Sequence, residues 1–168
     1  MTEHKDTDEN APTPQVEPPT PRELLLLRAG GQTFAVYAEE AEAVAEGLKP
    51  APLPHAPRAV LGVVCVRGRM YTLLDPHALL YPHASPGAQG DNIVAFVVAL
   101  GGDEQLALAA DSLERGVSVP AGALETPDPP APALRATLER DGARVHVLDT
   151  SRLFDAAMQG TERRRQRL

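Results

Sequence analysis

The chain states one structural unit twice. Four leucines, Leu24, Leu25, Leu26 and Leu27, lead through Arg28 and Ala29 into Gly30-Gly31 and out along residues 32–36, QTFAV. In the second half, residues 93–100, IVAFVVAL, lead into Gly101-Gly102 and out along residues 103–109, DEQLALA. Each unit reads as two strands about a glycine turn. A second hairpin follows in each half, turning at Arg67-Gly68 and at Asp141-Gly142; Asp-Gly is a strong signal for a two-residue turn with both φ angles positive. Both of these hairpins end in Leu-Asp and a short apolar segment, Leu74-Asp75 with Leu79 and Leu80, then Leu148-Asp149 with Leu153 and Phe154. Two related strand-rich halves, residues 22–81 and 91–158, predict a mainly β protein built as a pair of small packed barrels.

The interior has to be aliphatic. Hydrophobic residues make up 43 % of the 168, but there is no Trp and only three Tyr and three Phe. Leu, Val, Ile and Ala suit thin barrels better than a large aromatic-lined ligand pocket. The net charge of −7 argues against nucleic acid as a partner, because neutralising phosphates needs a basic surface.

Three proline-rich stretches punctuate the chain. Residues 1–21 hold five prolines and five acids against Lys5 alone, too little apolar surface to offset ordering entropy, so disorder is expected. A break over residues 81–91 separates the halves, and residues 120–132 read as a long loop. Residues 159–168 form a basic tail with Arg163, Arg164, Arg165 and Arg167 against Glu162. Residues 39–46 read as a surface helix, with acids at 39, 42 and 46 opposite Ala41, Val44, Ala45 and Leu48, stopped at Gly47. In the closing strand, Val145 and Val147 are expected to face inward and Arg144 and His146 outward.

Asp75 and Asp149 each suit the N-cap of a short helix, with a carboxylate accepting from the free N–H groups of the first turn. Pro76 follows at the first helical position, where a missing donor costs nothing. That role competes with any metal site sketched from Asp75, His77 and His83, and no histidine pair has zinc-type helical spacing. Cys65, the single cysteine, lies in an apolar run and is expected in the core. No phosphate-binding loop, dinucleotide fingerprint or nucleophile elbow is present, so neither catalysis nor a cofactor is expected. The acidic start lacks an apolar leader segment and the longest apolar run is far too short to span a bilayer. A cytoplasmic protein without membrane insertion is expected.

Residues 53–80 carry a resemblance to a known family. Leu53-Pro54-His55-Ala56-Pro57, then residues 62–68 (GVVCVRG), then Leu73-Leu74-Asp75 are similar in order and spacing to the Ile-Pro-Asn-Ala-Pro, Gly-Val-Ile-Asn-Leu-Arg-Gly and Ile-Val-Asp elements of CheW-like domains. Residues 109–113 resemble the Val-Val-Asp-x-Val element of the second barrel, and the likeness extends over residues 24–154. Cys65 and Val66 replace the usual Asn and Leu, Thr72 a frequent Pro, and Ala43, beside Glu42, a frequent acid. The resemblance implies two five-stranded SH3-like barrels with short helices. It implies an adaptor linking a chemoreceptor cytoplasmic tip to the regulatory domain of a CheA-type histidine kinase, a monomer outside the array. The alternatives are a related module of a gliding, pilus or regulatory pathway that binds kinase but not receptor and, from another class, a small metal-dependent enzyme using the His and Asp residues above. The resemblance makes Val66, Arg67, Gly68 and Glu42 the partner-facing candidates, with Glu42 a potential ion-pair partner of Arg67. Asp75, Pro76, Gly142 and Asp149 are the structural ones.

Overall fold

The structure, a computed structural model, describes residues 20–83 and 93–165, with side chains through residue 159. The first half runs β1 (Arg22–Ala29), β2 (Gln32–Tyr37), β3 (Ala41–Leu48), β4 (Val60–Val66), β5 (Arg69–Leu74) and helix α1 (Pro76–Leu80). The second runs β6 (Val94–Leu100), β7 (Leu106–Ala110), β8 (Ser112–Val119), β9 (Leu134–Arg140), β10 (Ala143–Leu148) and helix α2 (Leu153–Arg165). The turns at Gly30-Gly31, Arg67-Gly68 and Asp141-Gly142 all have positive φ at both central residues, the geometry whose twist matches that of flanking strands.

The sheets do not follow the sequence halves. One has the order β8-β1-β2-β10-β9 and the other β3-β6-β7-β5-β4. Each half therefore lends its first hairpin to the other half's barrel. Parallel ladders hold the lent hairpins in place, β2 beside β10 and β7 beside β5. Each sheet is then closed by one bridge. Ala51 and Val63 exchange two backbone hydrogen bonds of 2.9 and 2.8 Å, and Glu125 and Thr137 exchange two of 2.8 and 2.9 Å. The first barrel holds β1, β2 and β8 to β10; the second holds β3 to β7.

Exchange explains the continuous apolar runs. In β1, Leu24 and Leu26 fill the interior of the first barrel while Leu25 and Leu27 lie in the core between the barrels. In β6, Val97 and Ala99 fill the second barrel while Val98 and Leu100 face the same central core. A strand buried on both faces has no solvent side to mark with polar residues. Phe34, Leu74, Leu108, Leu148 and Leu153 complete the central core. Burial of such aliphatic side chains gives roughly 1.5–3 kcal/mol each relative to exposure.

Three expectations from sequence give way here. Residues 39–46 are not a helix: a 3-10 turn at Ala38–Glu40 leads into β3. The acids at 42 and 46 fit a strand as well as a helix, since both spacings return to one face. Pairing of β3 with β6 over six positions decides the matter, tertiary contact overriding local pattern. Cys65 is exposed, because Val64 and Val66 take the inward positions of β4 and the outward face of this strand is not covered. His146 is buried at 8 % exposure beside Val145 and Val147. Its ring lies 5.7 Å from that of Phe34 on the neighbouring strand β2, on the face of β10 that also carries Leu148 into the core between the barrels.

The proline-rich stretch between β8 and β9 is a connection containing a short 3-10 turn at Ala121–Ala123. The N-terminal segment through residue 19, most of the mid-chain break (residues 84–92) and the basic side chains of the tail lie outside the described residues. Among the described residues no helix is long and apolar enough to cross a membrane.

Candidate functional site

The β4–β5 hairpin carries the candidate residues, and its strand alternation sorts them. Val66, expected to face a partner, is 3 % exposed and packs inside the second barrel with Val64, Tyr71 and Leu73. It anchors the turn rather than offering a contact. Arg67 and Gly68 are exposed at the tip. Arg67 has φ 50° and Gly68 φ 78°. Nothing lies within 4 Å of where a Cβ on Gly68 would be, so backbone conformation rather than crowding selects glycine there. Arg67 has no such licence. A left-handed conformation is uncommon for a long side chain and better tolerated by Asn, Asp or Gly.

Glu42 is placed on β3 next to this hairpin, but it does not meet Arg67. Its Oε1 pairs with the Arg69 guanidinium at 3.4 Å, and its Oε2 accepts from the Tyr71 hydroxyl at 3.3 Å. Both charged side chains are about half exposed, at 62 % for Arg69 and 46 % for Glu42. Such a pair contributes about 0–1 kcal/mol, enough to orient Arg69 and too little to hold the hairpin. Among the described residues Arg67 has no ion-pair partner. Arg69 was missed in the sequence, although the first residue after a two-residue turn shares the tip with it. Met70, 54 % exposed, was missed as well.

Asp75 and His77 are occupied with structure. Asp75 Oδ1 accepts from the His77 N–H at 3.0 Å, with Pro76 first in the helix. The His77 ring lies 5.0 Å from that of Tyr81, and a Cβ on Gly30 would come within 2.6 Å of the imidazole. His77 thus keys α1 against the β1–β2 turn. With His83 and Leu80 it lines an open groove of about 500 Å³. No cluster of three or more His, Cys, Asp or Glu side chains occurs among the described residues.

The equivalent aspartate of the other barrel sits in a charge network that sequence reading did not find. Asp149 Oδ1 accepts from the Ser151 N–H at 3.2 Å and hydroxyl at 2.6 Å. Arg135 donates to Glu40 at 3.0 Å and approaches Asp149 at 3.5 Å. Its guanidinium lies 4.5 Å from the Tyr37 ring centroid, where Arg22 also lies at 4.4 Å. This network ties the crossover from β2 to β3 to the start of β9 and to the cap of the 3-10 turn Thr150–Arg152, which leads into α2; the Asp149 cap expected for the closing helix itself therefore acts one turn earlier. Burial raises the Asp149 carboxyl, but the Ser151 hydroxyl and the Arg135 charge more than offset that and hold it below the ordinary carboxylate value. Contacts spanning 95 residues, as for Arg135 and Glu40, leave no local signal in a sequence.

Comparison with known proteins gives one consistent result. The model of the family described as CheW-like domain matches residues 23–158. A chemotaxis protein CheW from Rhizobium meliloti (strain 1021) is 37 % identical over 59 residues, 35 % of this chain. That match spans 38 % of the relative's own length. The crystal structure of scaffolding protein TtCheW from Thermoanaerobacter tengcongensis superposes with a TM-score of 0.67 at 13 % identity, covering 80 % of this chain and 93 % of that one. At that identity the likeness is one of fold, two SH3-like barrels.

Proposed function

The chain belongs to the CheW-like domain family, and from that premise we propose that it is a non-catalytic, cytoplasmic adaptor coupling a chemoreceptor's cytoplasmic tip to the regulatory domain of a CheA-type histidine kinase. The observation that carries this reading is Arg67. A long cation is held in a left-handed backbone conformation at a hairpin tip, with no intramolecular ion pair among the described residues to offset the strain. Strained residues that the fold does not need concentrate where binding uses them. The same turn position in the other barrel is Asp141, at φ 53°, a residue type that tolerates the conformation locally. Weak single contacts of this kind become effective when many adaptors are held in one assembly.

The test is calorimetric binding of Arg67→Glu to the receptor tip and to the kinase regulatory domain in separate titrations, beside a thermal melt. Affinity for at least one partner should fall tenfold or more, about 1.4 kcal/mol. The melting temperature should hold, because surface substitutions stay within about ±0.5 kcal/mol. Unchanged affinity for both would return Arg67 to the ordinary solvated surface. Loss of one arm alone would decide between receptor and kinase as its partner.

A further inference from the structure

The first barrel is open at one end, and a single extra residue decides what lines the opening. Along β1, Leu24 and Leu26 point into the barrel, so Arg28, two residues on, is the next side chain on that face. It stands between Thr33 of β2 and Ser112 of β8 in the ladder. Strand β8 reaches this register through a bulge: Leu24 pairs with Val117 but Leu26 with Glu114, with Gly116 at φ 70°. Without the bulge, Arg115 and Leu113 would take the inward positions. With it, Glu114 and Ser112 do, and Leu113 packs instead against the core between the barrels. Bulges at barrel rims commonly re-aim a side chain in this way.

The opening is a cavity of about 560 Å³, within the usual range for small-molecule sites. Leu26 and Val145, 4 % and 2 % exposed, form its apolar floor, and Arg28, Thr33 and Ser112 a polar side. At the equivalent ladder position the second barrel carries Tyr71 in place of Val145, and its phenol reaches Glu42. An aromatic ring fills one mouth, and a valine leaves the other open. The charges of the open mouth are unevenly engaged. Glu114 forms a two-pronged pair with Arg140 at 2.8 and 2.9 Å. Those hydrogen bonds, opposed by burial, and the charges of Glu114 and Asp141 hold the Arg140 guanidinium above its ordinary value. Both acids are thus directed to Arg140, and Arg28 has no ion-pair partner among the described residues.

We infer that the mouth of the first barrel binds a small aliphatic monocarboxylate, its charged end on Arg28 between the Thr33 and Ser112 hydroxyls and its chain over Leu26 and Val145. A guanidinium fork matches a carboxylate with two parallel N–H···O bonds, and a hydroxyl on either side can donate to the same oxygens. The apolar floor separates this ligand from inorganic phosphate, which has nothing to place there. Glu114 and Asp141, lining the same cavity, disfavour a second carboxylate. The site lies in the other barrel from Arg67 and is independent of the adaptor reading.

Titration of the whole protein with sodium butyrate and sodium hexanoate at matched ionic strength, followed by amide chemical shifts, tests it. Hexanoate should shift Leu26, Arg28, Thr33, Ser112 and Val145 saturably. It should bind at least tenfold more tightly than butyrate, since each methylene placed on an apolar floor adds roughly a factor of four. Arg28→Gln should weaken hexanoate at least tenfold with an unchanged melt, as for other exposed substitutions. Val145→Tyr, which installs the other barrel's residue, should remove binding; if that variant misfolds, Arg28→Gln decides. No saturable shift at these residues, or equal binding by wild type and Arg28→Gln, would overturn the site. Inorganic phosphate binding as tightly as hexanoate would overturn the aliphatic body, and hexylamine doing so would overturn the carboxylate.

Discussion

The hairpins β4–β5 and β9–β10 share a fold position, a turn type and a buried inner face, yet they differ wherever they meet solvent. Inside, Val64, Tyr71 and Leu73 match Leu138, Val145 and Val147 in place and in burial. One is tied to the rest of the molecule by Arg140–Glu114 and Arg135–Glu40; the other is tied by Arg69–Glu42 and leaves Arg67 without an ion pair among the described residues. Duplicated architecture fixes what must be apolar inward and leaves the outward positions free to diverge.

The equivalence of the barrels can be broken most forcefully at the core they share. Leu27 is fully buried between them, so Leu27→Ala should cost about 2–5 kcal/mol. Because each barrel contains a hairpin from the other half, unfolding should remain a single transition by calorimetry. Two separated transitions would show that exchange does not weld the barrels into one cooperative unit.

A smaller effect compares the two helix caps. Asp75 and Asp149 each receive a backbone hydrogen bond from a following helix start, and each N–H donates to an alanine carbonyl, Ala59 or Ala133, at 2.8 Å. Only Asp149 also meets Arg135. Either Ala variant should lose ~0.5–2 kcal/mol, with Asp149→Ala the more damaging in urea titrations. The depressed Asp149 carboxyl stabilises the fold above its ordinary value, and that contribution disappears as pH falls through the lower folded value. Equal losses at neutral pH would mean that the Arg135 network is dispensable.

The mildest comparison concerns β10 and β5 at equivalent ladder positions, His146 and Thr72. Burial, aided by the Arg144 charge, pushes the His146 imidazole below its ordinary value of 6.5, and its Nδ1 has no partner. The unfolded chain then binds a proton that the folded one refuses. Stability is full above the ordinary imidazole value and falls as pH drops from it toward the lower folded value. His146→Thr, which installs the other barrel's residue, should flatten that decline in melts recorded through mildly acidic pH. A slope identical to wild type would assign the acid sensitivity to carboxylates alone.

Much of this molecule was legible locally. Turn glycines, alternating strands and Asp caps act within a few residues of themselves, so the hairpins, the two related halves and the cap positions of Asp75 and Asp149 could be read from spacing. Residues 39–46 could not, because acids at 42 and 46 satisfy either periodicity and only the β6 ladder selects the strand. Cys65 and His146 were misplaced for a shared reason: whether the second face of a strand is covered depends on what packs against it. Glu42 was assigned to Arg67 on the resemblance, whose frequent acid falls at the neighbouring Ala43, whereas the register of β5 brings Arg69 to it.

By itself the sequence determined that the chain would be a duplicated, aliphatic, strand-rich protein with an arginine displayed on a tight turn, since those properties reside in side-chain chemistry and short-range backbone preference. Tertiary structure alone decided that each half would complete the other's barrel, that the Leu-rich strands would be buried on both faces, and that Arg67 would stand apart from Glu42. Those outcomes depend on contacts between residues distant along the chain, whose energies appear only once the strands have chosen their neighbours.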